Sequence, residues 1–182
     1  MPSIPLPDPP LSDDELRLRA WSLGDVPAVT DACQDPEISR WTVVPHEYTD
    51  QHATEFIATR EPERMAGREL ALAIVDHGDT LLGAIGMSNF DWSDHRGEIG
   101  YWMAREARGR GLGTRAVRLL SRWAIDALAL ERVELLANPA NEGSQRLAES
   151  AGFTREGLLR RYRTRHGVRE DLVMFSLLPE DL

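Results

Sequence analysis

Lysine is missing from this chain, and all 21 basic residues among its 182 are arginines. That excludes a Walker A phosphate loop, whose Gly-Lys-Ser/Thr supplies the ammonium group that grips the phosphates. It also makes every fixed positive charge a planar fork suited to paired oxygens. Cysteine is nearly absent too. The single Cys33 cannot form an internal disulfide, and with no His or basic neighbour in sequence it reads as a small core residue rather than a nucleophile. No apolar run approaches the roughly 20 residues that a membrane helix needs. The start, MPSIPLPDPP, lacks the basic and apolar regions of a secretory signal, so a cytoplasmic location is expected. A net charge of -9 opposes general nucleic-acid binding and favours encounter with cations.

Hydrophobic residues make up 42% of the chain and charged residues 28%, enough for one well-filled core. The proline-rich residues 1–12 are expected to form a loose arm, and 13–182 a single domain. Alternation of Leu16, Leu18 and Ala20 with Arg17 and Arg19 predicts a half-buried strand. Ser22 and Asp25 then offer caps for a helix over 26–33, which Asp35-Pro36 closes. A second helix is expected over 49–59. Residues 70–75 and 81–87 read as a hairpin around the turn cluster 76–79, and Phe90 to His95 breaks the pattern before a strand over 98–103. Apolar residues at helical spacing from Ala116 to Leu130, with Arg115, Arg118 and Arg122 opposite, predict an amphipathic helix. A strand over 132–137, a short helix over 145–150 closed by Gly152, and a final hairpin over 157–165 and 168–178 complete the order.

The chemistry concentrates between the 98–103 strand and the helix that follows. Arg108-Gly109-Arg110-Gly111-Leu112-Gly113 is glycine-punctuated and opens a helix. Its backbone N–H groups can therefore converge on phosphate oxygens where the helix dipole favours negative charge, with arginine forks beside them. Gly111, Gly113 and Ala116 also fit the dinucleotide pattern G-x-G-x-x-A, with Glu131 about twenty residues on. The intervening segment 104–108 is a poor context for that pattern. Asp94, His95 and Glu98 have metal-binding chemistry but lack a convincing further ligand, so no metal is expected. Glu98 at a strand start is either a paired surface acid or a base. Arg160, Arg161, Arg163, Arg165 and Arg169 form one basic run, read as a solvated strand face.

Element order, the 108–113 turn and residues 138–153 resemble the GNAT family of acetyl-CoA-dependent N-acetyltransferases, and the resemblance covers nearly the whole chain. Within that family, Asn141-x-x-Ser144 followed by Gly152-Phe153, Glu156-Gly157, Tyr162, Gly167 and Asp171 is similar to the RimJ/RimL-like ribosomal-protein N-terminal acetyltransferases. The resemblance implies an α/β (α+β) domain with a central mixed, mostly antiparallel twisted sheet flanked by helices. It implies acetyl-CoA as acetyl donor, with the pyrophosphate held by Arg108, Gly109, Arg110, Gly111, Leu112, Gly113 and Thr114. The pantetheine arm would lie along the strand carrying Tyr101, Trp102 and Met103. Asn138, Asn141 and Ser144 would also contact the donor, and Ser144 would protonate the departing thiolate.

Many relatives carry a tyrosine acid at the position corresponding to Ala148, and alanine can donate nothing. The acid is then Ser144, unless that residue is only a helix cap, or else a water or another residue, and Glu98 is the base expected to act on the amine, directly or through water. Two alternatives stay open: a non-catalytic acyl-CoA sensor of the same fold, and a nicotinamide-binding protein. Peptide N-termini and small cationic amines are both acceptable as acceptor, and a homodimer is compatible with the resemblance.

Overall fold

In the computed structural model, which describes residues 2–182, the expected periodicities become eight strands. They are β1 (Leu11–Ser12), β2 (Arg17–Arg19), β3 (Leu70–Val75), β4 (Leu81–Asp91), β5 (Arg96–Met103), β6 (Arg132–Ala137), β7 (Thr154–Arg165) and β8 (Val168–Leu177). They form one sheet in the order β1-β2-β3-β4-β5-β6-β8-β7. Neighbours run antiparallel throughout except β5 and β6, which are parallel. A dinucleotide-binding sheet is built from successive parallel strands, so this topology overturns the nicotinamide alternative. The helices are α1 (Val26–Ala32), α2 (Pro36–Trp41), α3 (Asp50–Met65), α4 (Leu112–Leu128) and α5 (Glu142–Ala151).

Three elements depart from the sequence expectation. Asp35-Pro36 starts a helix instead of ending one: the Asp35 carboxylate accepts the Glu37 amide at 3.1 Å, and Pro36 occupies the first turn, where its missing N–H costs nothing. Helix α3 runs through Pro62 to Met65 instead of stopping at Thr59. Its last turn is tied down from outside, because the Ile4 amide donates to the Arg64 carbonyl at 3.1 Å. That contact also removes the loose arm. Among the described residues no regular structure precedes Leu11, yet Ile4 is fully buried in the core, and burying such a side chain stabilises by about 2 kcal/mol.

The sheet separates two apolar clusters. The larger gathers Ala116, Val117 and Leu120 of α4 with Ile99, Phe153 and Phe175. The smaller joins Val29, Cys33, Ile38, Tyr48 and Ala53 of the α1–α3 side, with Trp102 packed against it. Because side chains alternate along a strand, β5 divides its residues between the two: Ile99, Tyr101 and Met103 face α4 and α5, while Glu98, Gly100 and Trp102 face α1–α3. Cys33 is 2% exposed, and burial pushes its thiol up to about 12, so it is inert as well as buried.

Candidate functional site

Pairing between β5 and β6 begins at Arg96 opposite Arg132 and ends at Ile99 opposite Leu135. Beyond that point β4 holds β5 as far as Met103, and β8 holds β6 as far as Ala137. The two strands therefore part in mid-sheet, leaving the β6-facing main-chain edge of residues 100–103 without a strand partner. A groove of about 1240 Å³ opens at this divergence. Glu98, Tyr101, Trp102, Met103, Arg108, Gly109, Gly111, Leu112, Gly113, Thr114, Asn138, Asn141 and Ser144 all line it. Arg110 alone among the site residues named from sequence does not line the groove.

At one end of the groove, Gly109 and Gly111 adopt φ of 71° and 77°, which a residue with a Cβ reaches only under strain. Gly111 caps α4 with no side-chain hydrogen bond, so the first amides of this helix have no intrahelical partner and point outward with the positive end of its dipole. This geometry fits a phosphate. The arginines are disposed differently from expectation. Arg108 donates to the Met103 carbonyl at 3.0 and 2.8 Å and pairs with Asp35 at 2.7 Å, so its guanidinium is committed to holding the turn. Arg115 is likewise occupied, by Asp13 at 3.0 Å and Asp14 at 2.6 Å. These pairings leave the main-chain amides of the turn and the exposed Arg110 side chain open.

Helix α5 forms the opposite lip. Asn141, not Ser144, is its cap: the Asn141 side chain accepts the Ser144 amide at 3.0 Å. The Ser144 hydroxyl is thereby left for other work, and it lies 3.2 Å from the Tyr101 hydroxyl across the gap. Burial raises the Tyr101 pKa against a smaller opposing effect of that hydrogen bond, so the phenol keeps its proton. Asn138 accepts the Ala140 amide at 2.9 Å and shapes the turn into the helix. Ala148 is fully buried in the larger core and does not line the groove. No donor reaches the groove from this position.

On the α1–α3 side, the Glu98 carboxylate receives Arg163 at 2.9 and 2.6 Å and Asn89 at 2.8 Å. Its side chain is 13% exposed. Trp41, Tyr48, His52, Glu55 and Phe56 complete this aromatic and acidic wall. The β7–β8 hairpin closes its far end: His166 bonds the Ser39 carbonyl at 3.1 Å, its ring stands 5.3 Å from that of His46, and Arg165 donates to the Arg40 carbonyl. Sequence reasoning missed Arg163, Asn89 and the aromatic wall. Arg163 and Arg165 lie inside a run that reads locally as a solvated face, and only the register across β8 brings them inward. His95 bonds the Ala129 carbonyl at 3.2 Å, while Asp94 lies beside Arg96 at 4.0 Å. Among the described residues, no three His, Cys, Asp or Glu side chains gather as metal ligands would, and no helix is long and apolar enough to cross a membrane.

A sheet that splits between two parallel strands, with a glycine-opened helix at the mouth of the split, is the arrangement that the family resemblance implies for an acyl-CoA-dependent transferase, and comparison with known proteins agrees. Residues 15–154 match the acetyltransferase (GNAT) domain, and the chain belongs to that family. It is 32% identical over 174 residues to the uncharacterized N-acetyltransferase p20 of Bacillus licheniformis, covering 94% of this chain and 97% of that one. Among solved structures it is similar to Mycobacterium smegmatis RimJ in complex with CoA-disulfide, with TM-score 0.84, 23% identity, and coverage of 92% of this chain and 83% of that chain. It is also similar to the ribosomal-protein-S5-alanine acetyltransferase of Vibrio fischeri, with TM-score 0.81, 21% identity, and coverage of 94% and 97%.

Proposed function

We propose that this protein transfers the acetyl group of acetyl-CoA to a primary amine, and that the amine is the N-terminus of a protein or peptide. The observation that carries the proposal is the two-sided gap. On one face the Ser144 hydroxyl and the open amides of α4 fit the donor; on the other, Glu98 and an aromatic, acidic wall fit a cation. A sequence relative, 39% identical over 102 residues, is the putative ribosomal N-acetyltransferase YdaF of Bacillus subtilis, which supports a peptide acceptor. The acidic total of -9 favours its approach.

In this scheme the main chain of Gly109, Gly111, Leu112, Gly113 and Thr114 holds the pyrophosphate, and the unpaired edge of β5 holds the pantetheine arm. An ammonium has no lone pair, so the acceptor must lose a proton before it attacks. Glu98 takes that proton through water, its carboxylate held in place by Arg163 and Asn89. The amine nitrogen then bonds the thioester carbonyl carbon and gives up a second proton to water, the C–S bond breaks, and the thiolate takes the Ser144 proton. Ser144 recovers a proton from solvent, so each turnover yields amide, thiol and one released proton.

The test is acetyl-CoA-dependent thiol release, followed with a thiol reagent over a panel of peptides with free and blocked N-termini and of small amines. Cys33 is buried and does not compete for the reagent. Free N-termini are expected to turn over while blocked ones do not. Tight donor binding without thiol release for any amine would establish a sensor instead. Ser144→Ala should lower kcat with donor affinity nearly intact, and an unchanged rate would return Ser144 to a structural role.

A further inference from the structure

We infer that Tyr101 is a positioning residue for proton delivery, its phenol hydroxyl holding the Ser144 hydroxyl in the orientation that serves the departing thiolate. The inference rests on the assignment of Ser144 as acid and gives a second role to a residue that the sequence places only along the donor site. It starts from strand alternation. Tyr101 projects to the α4–α5 face, where its ring packs against the larger core and its hydroxyl emerges at the rim of the gap. There it meets Ser144 Oγ at 3.2 Å. No other hydrogen bond joins either hydroxyl to the protein among the described residues.

Ser144 sits in the first turn of α5, where a serine side chain has three staggered positions and can bond back to nearby backbone or face water. The Asn141 cap already satisfies the Ser144 amide, so the helix end makes no demand on the hydroxyl. A hydrogen bond from the rigid phenol selects one position and occupies one lone pair of Oγ. The serine O–H is then directed away from Tyr101, into the groove that Ser144 lines. Donation into a hydroxyl oxygen also polarises its own O–H, making it a better donor.

Tyr101 itself is unsuited to be the acid. Its O–H is already directed at Ser144 Oγ, 3.2 Å away, and burial favours the protonated phenol, so Tyr101 acts on the thiolate only through the serine that it orients. Its contribution is therefore that of one neutral hydrogen bond made at the point where charge leaves, which corresponds to a kcat effect of roughly three- to tenfold.

The experiment uses the full chain with acetyl-CoA and the best acceptor of the panel. It compares Tyr101→Phe, Ser144→Ala and the double variant, with a thermal melt of each. Tyr101→Phe keeps the ring and loses one oxygen, so it is expected to melt like the parent. Its kcat should fall roughly three- to tenfold with the KM for acetyl-CoA within about twofold, and the double variant should be no slower than Ser144→Ala. A parent-like kcat for Tyr101→Phe, or a change confined to KM, would overturn the inference while leaving Ser144 as the acid. So would losses that multiply in the double variant, since they would mean that Tyr101 acts independently. A parent-like rate for Ser144→Ala removes the acid assignment and this inference together.

Discussion

Replacing Asp35 with asparagine should test how the donor turn is joined to the acceptor wall. Asp35 has a side chain only 7% exposed, caps α2 through the Glu37 amide, and pairs with Arg108 at 2.7 Å and Arg105 at 3.4 Å. Arg108 in turn grips the Met103 carbonyl, so one carboxylate links α2, the end of β5 and the turn before α4. Asparagine caps about as well as aspartate, so the substitution removes charge and spares the cap. The Arg105 arm contributes little, since that side chain is 69% exposed. Stranding one partner of a fully buried pair costs about 3–5 kcal/mol. Arg108 is 35% exposed and can recover some hydration, which brings the expected loss to about 2 kcal/mol.

Urea unfolding at pH 7 measures this as a midpoint lowered by roughly 1 M, with the slope unchanged. The pH dependence gives a second check. Burial alone would raise the Asp35 pKa, but the Glu37 amide, the Arg105 hydrogen bond and the charges of Arg108 and Arg105 outweigh it and hold the carboxyl below its ordinary value. A depressed folded pKa gives stability that is fully present above the unfolded value of about 3.9 and is lost as pH falls through the folded one. The gap between parent and variant should therefore close as pH is lowered below about 4. Equal midpoints at pH 7 would refute the ion-pair account, and a gap of constant size down to about pH 3 would assign the loss to geometry rather than charge.

Gly111→Val should raise the dissociation constant for acetyl-CoA at least about tenfold by calorimetry, because a β-branched residue at φ 77° is strained whatever space surrounds it; unchanged affinity would sink the phosphate assignment. For Glu98→Gln, kcat/KM should fall most at low pH, where neutral amine is scarce, with the gap narrowing as pH rises. A uniform loss would make Glu98 an orienting group instead. Glu156 is held at about 2, chiefly by its hydrogen bond from Arg132 and also by Ser176, so it stabilises the fold above pH 4.5 and loses that effect as pH falls toward 2. With its side chain 40% exposed, Glu156→Gln should cost about 1 kcal/mol in neutral urea melts and nothing near pH 2.

Strands and long helices are legible because burial on one face writes a period into the sequence. Leu70–Val75 and the β7–β8 hairpin, with His166-Gly167 both at positive φ, fall where alternation and turn chemistry put them. Gly111 to Thr114 are legible from glycine spacing ahead of a helix, whereas Asn141 and Ser144 are picked out only by the family resemblance. What escapes depends on contacts between distant segments. Arg108 has the chemistry of a phosphate ligand, but Asp35, far away along the chain, holds it instead. Arg163 belongs to a run of locally solvated character, and only the fold sets it against Glu98. Proline content makes the N-terminal segment read as loose because it reports local preference, whereas Ile4 is fixed by a cavity that other elements make.

The parting of β5 from β6 bears on how such a protein changes over generations. On the proposed reading, the groups that would hold the pyrophosphate and the pantetheine arm there belong to the backbone, and a backbone amide is present whichever side chain it carries, proline apart. Point substitutions along this edge thus have few ways to delete the donor site, provided the glycines of the turn are kept. The side facing the acceptor is built of side chains on α1–α3 and the hairpin, each replaceable singly. Selection can re-aim the molecule at a new amine by exchanging that wall, while the half that handles the acetyl donor is inherited unchanged with the fold itself.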